Sequence, residues 1–329
     1  MKILDREISK MGRPYLIAEA GATHEGDPEM AIKMTLAGIE ARADAITFQE
    51  IDEEKLYSEI DELPVPEQKR IGWGVLEECR KICHEKGVAF SVCVTDSESL
   101  DRAVDLGIDF IKIVSYDISF EPFLRQCAQK KKPILLSTGA STFEEVGRAL
   151  EIIGPEAEVC IYHTDCGYPT EDSEVNLLRM LSLGEFFQIP VGYCDHTSGT
   201  LSCLAAASLG ADLIEKHFTI DKSLGGSDHM VALEPGELIA MFAEIRRIAD
   251  IRGDGADKIE ESSVYRRENL RRSIALAKNI SKGEVLEERH LTMLRPPIGL
   301  EWADRGEIIG KRAKTDLKKR KIIRLGDLE

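Results

Sequence analysis

His196 and His217 are the residues of this 329-residue chain whose type and spacing most directly suggest chemistry. Each closes a short apolar run, Gly192-Tyr193-Cys194-Asp195-His196 and Leu213-Ile214-Glu215-Lys216-His217. Two imidazoles at the ends of adjacent strands would lie within reach of one divalent ion, and imidazole suits Mn, Fe, Co or Zn. Cys194 precedes His196 by two residues, so on a strand both point the same way. A thiolate from Cys194, or from Cys166 on the neighbouring run, would favour Zn2+ or Fe2+; as small buried fillers both would be inert. Lys112 sits inside another apolar run, where an ammonium needs an anionic partner. With Ser115 it would suit a phosphate or carboxylate, the lysine as a point charge and the serine as a donor. Ser137-Thr138-Gly139 offers hydroxyls and backbone N–H groups to the same anion. Glu19 suits a general base, an acceptor for a sugar hydroxyl, or a buried partner for Lys112. Asp228 and His229 fall in the Gly-rich stretch Leu224–His229, which reads as a mobile loop or a plain solvated turn.

The elements that must position these residues alternate along the first 250 or so positions. Apolar runs at Tyr15–Glu19, Ala45–Gln49, Val88–Val92, Phe110–Ile113, Ile134–Ser137, Val159–His163, Pro190–Tyr193 and Leu213–Lys216 read as strands. Helical periodicity fills the intervals, at Pro28–Ala41, Gln68–Lys86, Ser97–Asp105, Phe120–Lys130, Thr142–Ile153, Val175–Leu183, Thr200–Leu209 and Glu237–Ile251. Eight such units in this length predict an α/β (β/α)8 TIM barrel. An open doubly wound sheet is the runner-up, but no GxGxxG follows the first run. In a barrel the C-terminal strand ends meet around one axis. Glu19, Gln49, Lys112, Ser115, Ser137, the stretch His163–Tyr168, His196 and His217 are therefore expected to converge. The chain divides into a barrel over 1–255, a polar linker over 256–270 and a compact, mostly β module over 271–329. Within that module Ser273–Ala277, Glu284–Leu286, Leu291–Leu294 and Ile322–Arg324 read as short strands.

Composition closes off other classes. A 43% hydrophobic and 31% charged chain can bury a core, which excludes disorder. No apolar stretch reaches the roughly 18 residues of a membrane span, and the polar start Met1–Gly12 does not resemble a signal peptide. Eight cysteines without CxxC pairs suit reduced thiols, so a cytoplasmic protein is expected. A net charge of −16 argues against nucleic acid as a partner. The charge is uneven: residues 271–329 carry +6 and the remainder −22, so the tail is expected to dock on an acidic body, its own or a neighbour's.

The segments Ile17–Asp27, Ile111–Asp117, Ser137–Ser141, Gly192–Thr197, Ile214–Asp221, Gly226–Pro235 and Arg271–Leu286 resemble, in order, those of the sialic acid synthase family. That resemblance implies a TIM barrel fused to a C-terminal SAF, or antifreeze-like, domain. It implies condensation of phosphoenolpyruvate with an N-acetylated amino sugar such as N-acetylmannosamine, releasing phosphate, with a divalent metal that is usually Mn2+. It also implies a homodimer with each SAF domain over the neighbouring barrel. Carried over by motif, His196 and His217 match the metal ligands, and Glu19 and Asp228 match carboxylates at the sugar. Lys112, Ser115, Ser137 and Tyr168 match the phosphoenolpyruvate site, and Arg295 matches the SAF residue that reaches a neighbour's sugar. The chain departs from the pattern at Thr47 (a lysine in Lys-Phe-Gln), Cys93, Cys166, Cys194 (a serine in GYSDHT) and Ala232. Several departures fall in the phosphate region. A metal-dependent aldolase or lyase using a phosphate-free 2-oxo acid is thus a second reading, and a non-catalytic sugar-binding protein a third.

Overall fold

The computed structural model describes residues 1–58 and 69–329. They form two compact units, Met1–Asp254 and Gly255–Glu329. The first opens with a small antiparallel hairpin, β1 (Lys2–Ile3) and β2 (Arg6–Glu7). Eight parallel strands follow: β3 (Tyr15–Gly21), β4 (Ala45–Gln49), β5 (Ala89–Cys93), β6 (Ile111–Ile113), β7 (Ile134–Ser137), β8 (Val159–His163), β9 (Val191–Asp195) and β10 (Leu213–His217). Their order is β5-β4-β3-β10-β9-β8-β7-β6. At the seam between β5 and β6, the Asp109 backbone N–H donates to Phe90 O at 2.9 Å and Ser91 Oγ to Phe110 O at 2.6 Å. These bonds close the sheet into the expected TIM barrel.

The strands are apolar on both faces because helices cover the outside while side chains fill the inside. Leu16, Ala18, Ile46, Phe48, Ile113 and Ile214 face the helices. Tyr15, Ile17, Ala45, Ala89, Leu135, Tyr162 and Leu213 fill the interior near the N-terminal end. Continuing at period two along the same inner face gives Glu19, Thr47, Lys112, Ser137, Cys194 and Glu215. The interior is thus apolar below and polar above, and the polar layer is the site.

Local signals fix the helices between strands. Thr142 and Glu145 form a reciprocal capping box at the start of the helix Phe143–Ile153, and Asp96 caps the helix Ser97–Leu106 by accepting from the Glu98 and Ser99 N–H groups. The helix expected over Gln68–Lys86 runs Trp73–Glu85; the expected start at Gln68 lies outside the described residues. Within the stretch read as a mobile loop or turn, Ser227–Val231 forms a short helix with His229 buried. No helix among the described residues is long and apolar enough to cross a membrane.

In the second unit β11 (Ser273–Leu276) pairs antiparallel with β12 (Leu291–Leu294). Ile274, Leu276, Leu286, Ile308, Leu317 and Ile323 make its core. Near Glu284–Leu286 and Ile322–Arg324 the pairing consists of single bridges, Val285 to Arg312 and Ala275 to Ile322, rather than strands. A helix, Glu261–Leu270, occupies part of the stretch read as linker. Its residues are all exposed, so it has no apolar stripe to mark it; yet no Gly or Pro interrupts 256–270, and the backbone is free to coil.

Candidate active site

Lys112 is the hub of the polar layer. Its Nζ donates to Glu19 Oε2 at 2.8 Å and to Glu215 Oε1 at 2.5 Å. Glu19 also accepts from Thr47 Oγ1 at 2.5 Å and from the Gly21 N–H at 2.7 Å. Glu215 accepts from Tyr162 OH at 3.2 Å and from Cys194 Sγ at 3.2 Å. The anionic partner that a buried lysine requires is therefore supplied twice by the protein itself. Burial opposes the charge on Lys112, yet the two carboxylates keep its ammonium well above the usual lysine range. Burial likewise pushes the Glu19 carboxyl up, but Lys112, His217 and the hydrogen bonds from Lys112 and Thr47 outweigh it and hold it at about 2. Of the roles read for Glu19, the structure shows the ion pair with Lys112; a carboxyl held so low is a weak general base.

The two histidines stand beside this network. His196 Nδ1 lies 2.6 Å from Asp165 O. A carbonyl can only accept, so Nδ1 carries the proton and the Nε2 lone pair is free to accept. That lone pair meets Tyr168 OH at 2.9 Å, with the tyrosine ring stacked on the imidazole at 4.2 Å between centroids. Burial, then the neighbouring His217, pushes His196 down to about 3, so it is neutral at pH 7. The His196 and His217 rings are 5.5 Å apart, and His217 Nδ1 is buried with no hydrogen-bond partner. Among the described residues no group of three His, Cys, Asp or Glu side chains is arranged to hold an ion. Gly21, at φ +53°, lets the loop after β3 pass these groups: a Cβ there would lie 2.7 Å from Asp228 Oδ2 and 3.1 Å from His217. Asp228 Oδ2 also accepts from the Ala22 N–H at 3.3 Å.

A cavity of about 270 Å³ opens over these groups. Gln49, Lys112, Ser115, Ser137, Tyr168, His196, His217 and Asp228 all line it, with Cys166 and Cys194. Ser115 Oγ is fixed by the Gly139 N–H at 3.0 Å, which joins the strand-end turns after β6 and β7. Glu19 is buried beneath, and acts on the cavity through Lys112. A larger cavity, about 870 Å³, lies at the opposite strand ends beside Arg6, Tyr15, Asp44 and His84. In a barrel the chemistry belongs to the C-terminal face, and the smaller cavity is the one the polar layer serves. Arg295 belongs to the second unit, where its Nε donates to Leu270 O at 2.7 Å. His163, expected to converge with the others, faces outward and bonds Val175 O at 2.6 Å, because it falls on the outer register of β8.

Three residues with a clear part had no role in the sequence reading. Glu215 stands two before His217 and so shares its inward face, a period-two signal that was available. Asp195 and Lys216 sit on the opposite face, fully buried, and bond at 2.5 Å directly behind the histidines. Asp195 further accepts from Tyr193 OH, the Thr197 N–H and Ser202 Oγ.

Comparison with known proteins gives the family of the chain. A family model described as the NeuB family matches residues 34–257, and one described as the SAF domain matches residues 271–329. The N,N'-diacetyllegionaminic acid synthase of Campylobacter jejuni is 34% identical, covering 95% of this chain and all of that protein. The enzyme of the same name from Legionella pneumophila is 32% identical over 92% of this chain and 91% of that protein. A solved N-acetylneuraminic acid (sialic acid) synthetase from Leptospira borgpetersenii, 29% identical, superposes with a TM-score of 0.73 over 78% of this chain and 92% of that one. The chain belongs to the NeuB family and carries a C-terminal SAF domain.

Proposed function

We propose that this protein condenses phosphoenolpyruvate with an N-acetylated amino-sugar aldehyde, giving a nonulosonic (2-keto-3-deoxy sugar) acid and phosphate. It is a carbon–carbon-bond-forming transferase, a reading supported by relatives that are named acid synthases. The observation that carries the proposal is the convergence of Lys112, Ser115, Ser137, His196, His217 and Asp228 on one cavity at the C-terminal strand ends. C3 of the enolpyruvate attacks the aldehyde carbon, water adds at C2, and phosphate departs with the C2–oxygen bond electrons. Lys112, Ser115 and Ser137 supply a cation and two hydroxyls toward the donor's anionic groups. Asp228, at the mouth, is placed to accept a sugar hydroxyl.

A divalent ion, Mn2+ by family resemblance, belongs to the proposal. His196 offers an Nε2 lone pair and His217 a buried nitrogen without a partner, a donor set that fits such an ion. When bound it would supply Lewis acidity at the aldehyde oxygen. Zn2+ or Fe2+ is the second choice if Cys194 ligates: its Sγ is 3.7 Å from His196 Nε2, but its thiol donates to Glu215 and is pushed well above the usual range by burial, which favours the protonated, non-ligating form. Changing either histidine to Ala should abolish bound metal, read by elemental analysis; full retention in either variant overturns the ligand assignment. A cytoplasmic homodimer with the SAF domain over the neighbouring barrel completes the proposal, supported by eight free cysteines and the −22 and +6 charge division.

A second reading has a specific observation behind it. Among the described residues lining the cavity, Lys112 alone is Lys or Arg, and two carboxylates already hold it. Such a pocket suits a phosphate-free 2-oxo acid donor, which would make the protein a metal-dependent aldolase or lyase. Calorimetric titration of the Mn2+-loaded protein with phosphoenolpyruvate separates the two. Saturable micromolar binding, followed by phosphate release with an aldehyde panel, supports the synthase. No binding favours the 2-oxo acid donor.

A further inference from the structure

We infer that Tyr168 is a gate on the metal-binding nitrogen of His196: its hydroxyl caps Nε2, and an ion must displace it to bind. This rests on the histidine metal site proposed above and adds a role for a residue that the family resemblance matches only to the phosphoenolpyruvate site.

The geometry leaves His196 one way to accept a ligand. Its Nδ1–H is committed to Asp165 O at 2.6 Å, which fixes the tautomer and aims the Nε2 lone pair into the cavity. Tyr168 OH stands 2.9 Å from that nitrogen, a full hydrogen bond from a phenol to a neutral imidazole. The ring reinforces the cap. It stacks on His196 at 4.2 Å and meets His217 edge-on at 6.1 Å, so one side chain covers both imidazoles. Tyr168 itself is 37% exposed, on the loop that follows β8. By contrast His196, at 8% exposure, and His217, at 2%, are fixed within strand-end packing. The more exposed partner of this contact is the tyrosine.

The hydroxyl and an ion compete for one lone pair. Removing the hydroxyl while keeping the ring therefore removes a competitor without removing a ligand. A net hydrogen bond of ordinary strength corresponds to about a two- to tenfold gain in metal affinity.

The test is titration of the full-length, metal-free protein with Mn2+ alone, followed by calorimetry and by the electron paramagnetic resonance signal of free Mn2+. Tyr168→Phe should bind Mn2+ about two- to tenfold more tightly than the unaltered protein. Tyr168→Leu, lacking ring and hydroxyl together, should gain at least as much, which keeps the test available should the phenylalanine variant fold poorly. Unchanged or weaker binding in the well-folded variants overturns the gate; weaker binding would make the phenol a ligand or a support. His196→Ala separates this from the underlying reading. If the unaltered protein binds no Mn2+, or His196→Ala binds it undiminished, the histidine site itself fails and the gate with it.

Discussion

Thr47 Oγ1 donates to Glu19 Oε2 at 2.5 Å across 28 residues of sequence. The threonine occupies the position of the lysine in the family's Lys-Phe-Gln pattern, and it completes the hydrogen bonding of a carboxylate rather than adding a cation. Relative to that pattern, the chain has one cation fewer in the polar layer beneath the cavity. Thr47→Lys would restore it, and if the pocket retains the family's geometry phosphoenolpyruvate should bind roughly 10- to 100-fold more tightly by calorimetry. Equal or weaker binding would show a pocket built for a donor without phosphate.

Lys112 holds two carboxylates in an interior where it is only 5% exposed. Lys112→Met leaves Glu19 and Glu215 buried, unpaired and mutually repelling. The loss should be about 3–5 kcal/mol, read as a drop in the urea midpoint of the barrel. Adding Glu215→Gln removes one of the stranded charges and should recover part of it. A Lys112→Met variant as stable as the unaltered protein would contradict the charge network.

Asp195 and Lys216 form a fully buried pair behind the metal-candidate histidines. Asp195→Ala or Lys216→Met alone should each cost about 3–5 kcal/mol, because each strands the other's charge. The double variant should lose less than the sum, with a coupling of about 1–3 kcal/mol in a double-mutant cycle. Strict additivity would mean the pair does not act as a unit.

Asp117 carries the clearest pH signature. Its Oδ2 is buried without a partner, and burial raises the carboxyl from 3.8 to about 7. Between those values the folded state keeps a proton that the unfolded chain has released, so stability falls as pH rises through the window and levels off above it. Each pH unit in the window costs about 1.4 kcal/mol from this group. Asp117→Asn should flatten that fall and raise stability at pH 8 by on the order of 2–4 kcal/mol. Parallel stability–pH curves for the two proteins would refute the assignment.

The barrel is legible in the sequence because its strands and helices are written in local periodicity. Ala45–Gln49, Ile134–Ser137 and Val159–His163 appear with the bounds that their apolar runs predict. The polar strand ends named Lys112, Ser115, Ser137, His196 and His217 for the same reason: a strand end is a local feature. Which charges meet is settled only by the closed fold. Lys112 reaches partners 93 and 103 residues away, and barrel closure alone brings β6 across the interior from β3 and β10. Likewise the outward turn of His163, the buried pair Asp195–Lys216 and the cap of Tyr168 on His196 depend on facing and packing between distant segments. A chemical role read from residue type needs a partner, and partners are set by the closed sheet rather than by the run of sequence around them.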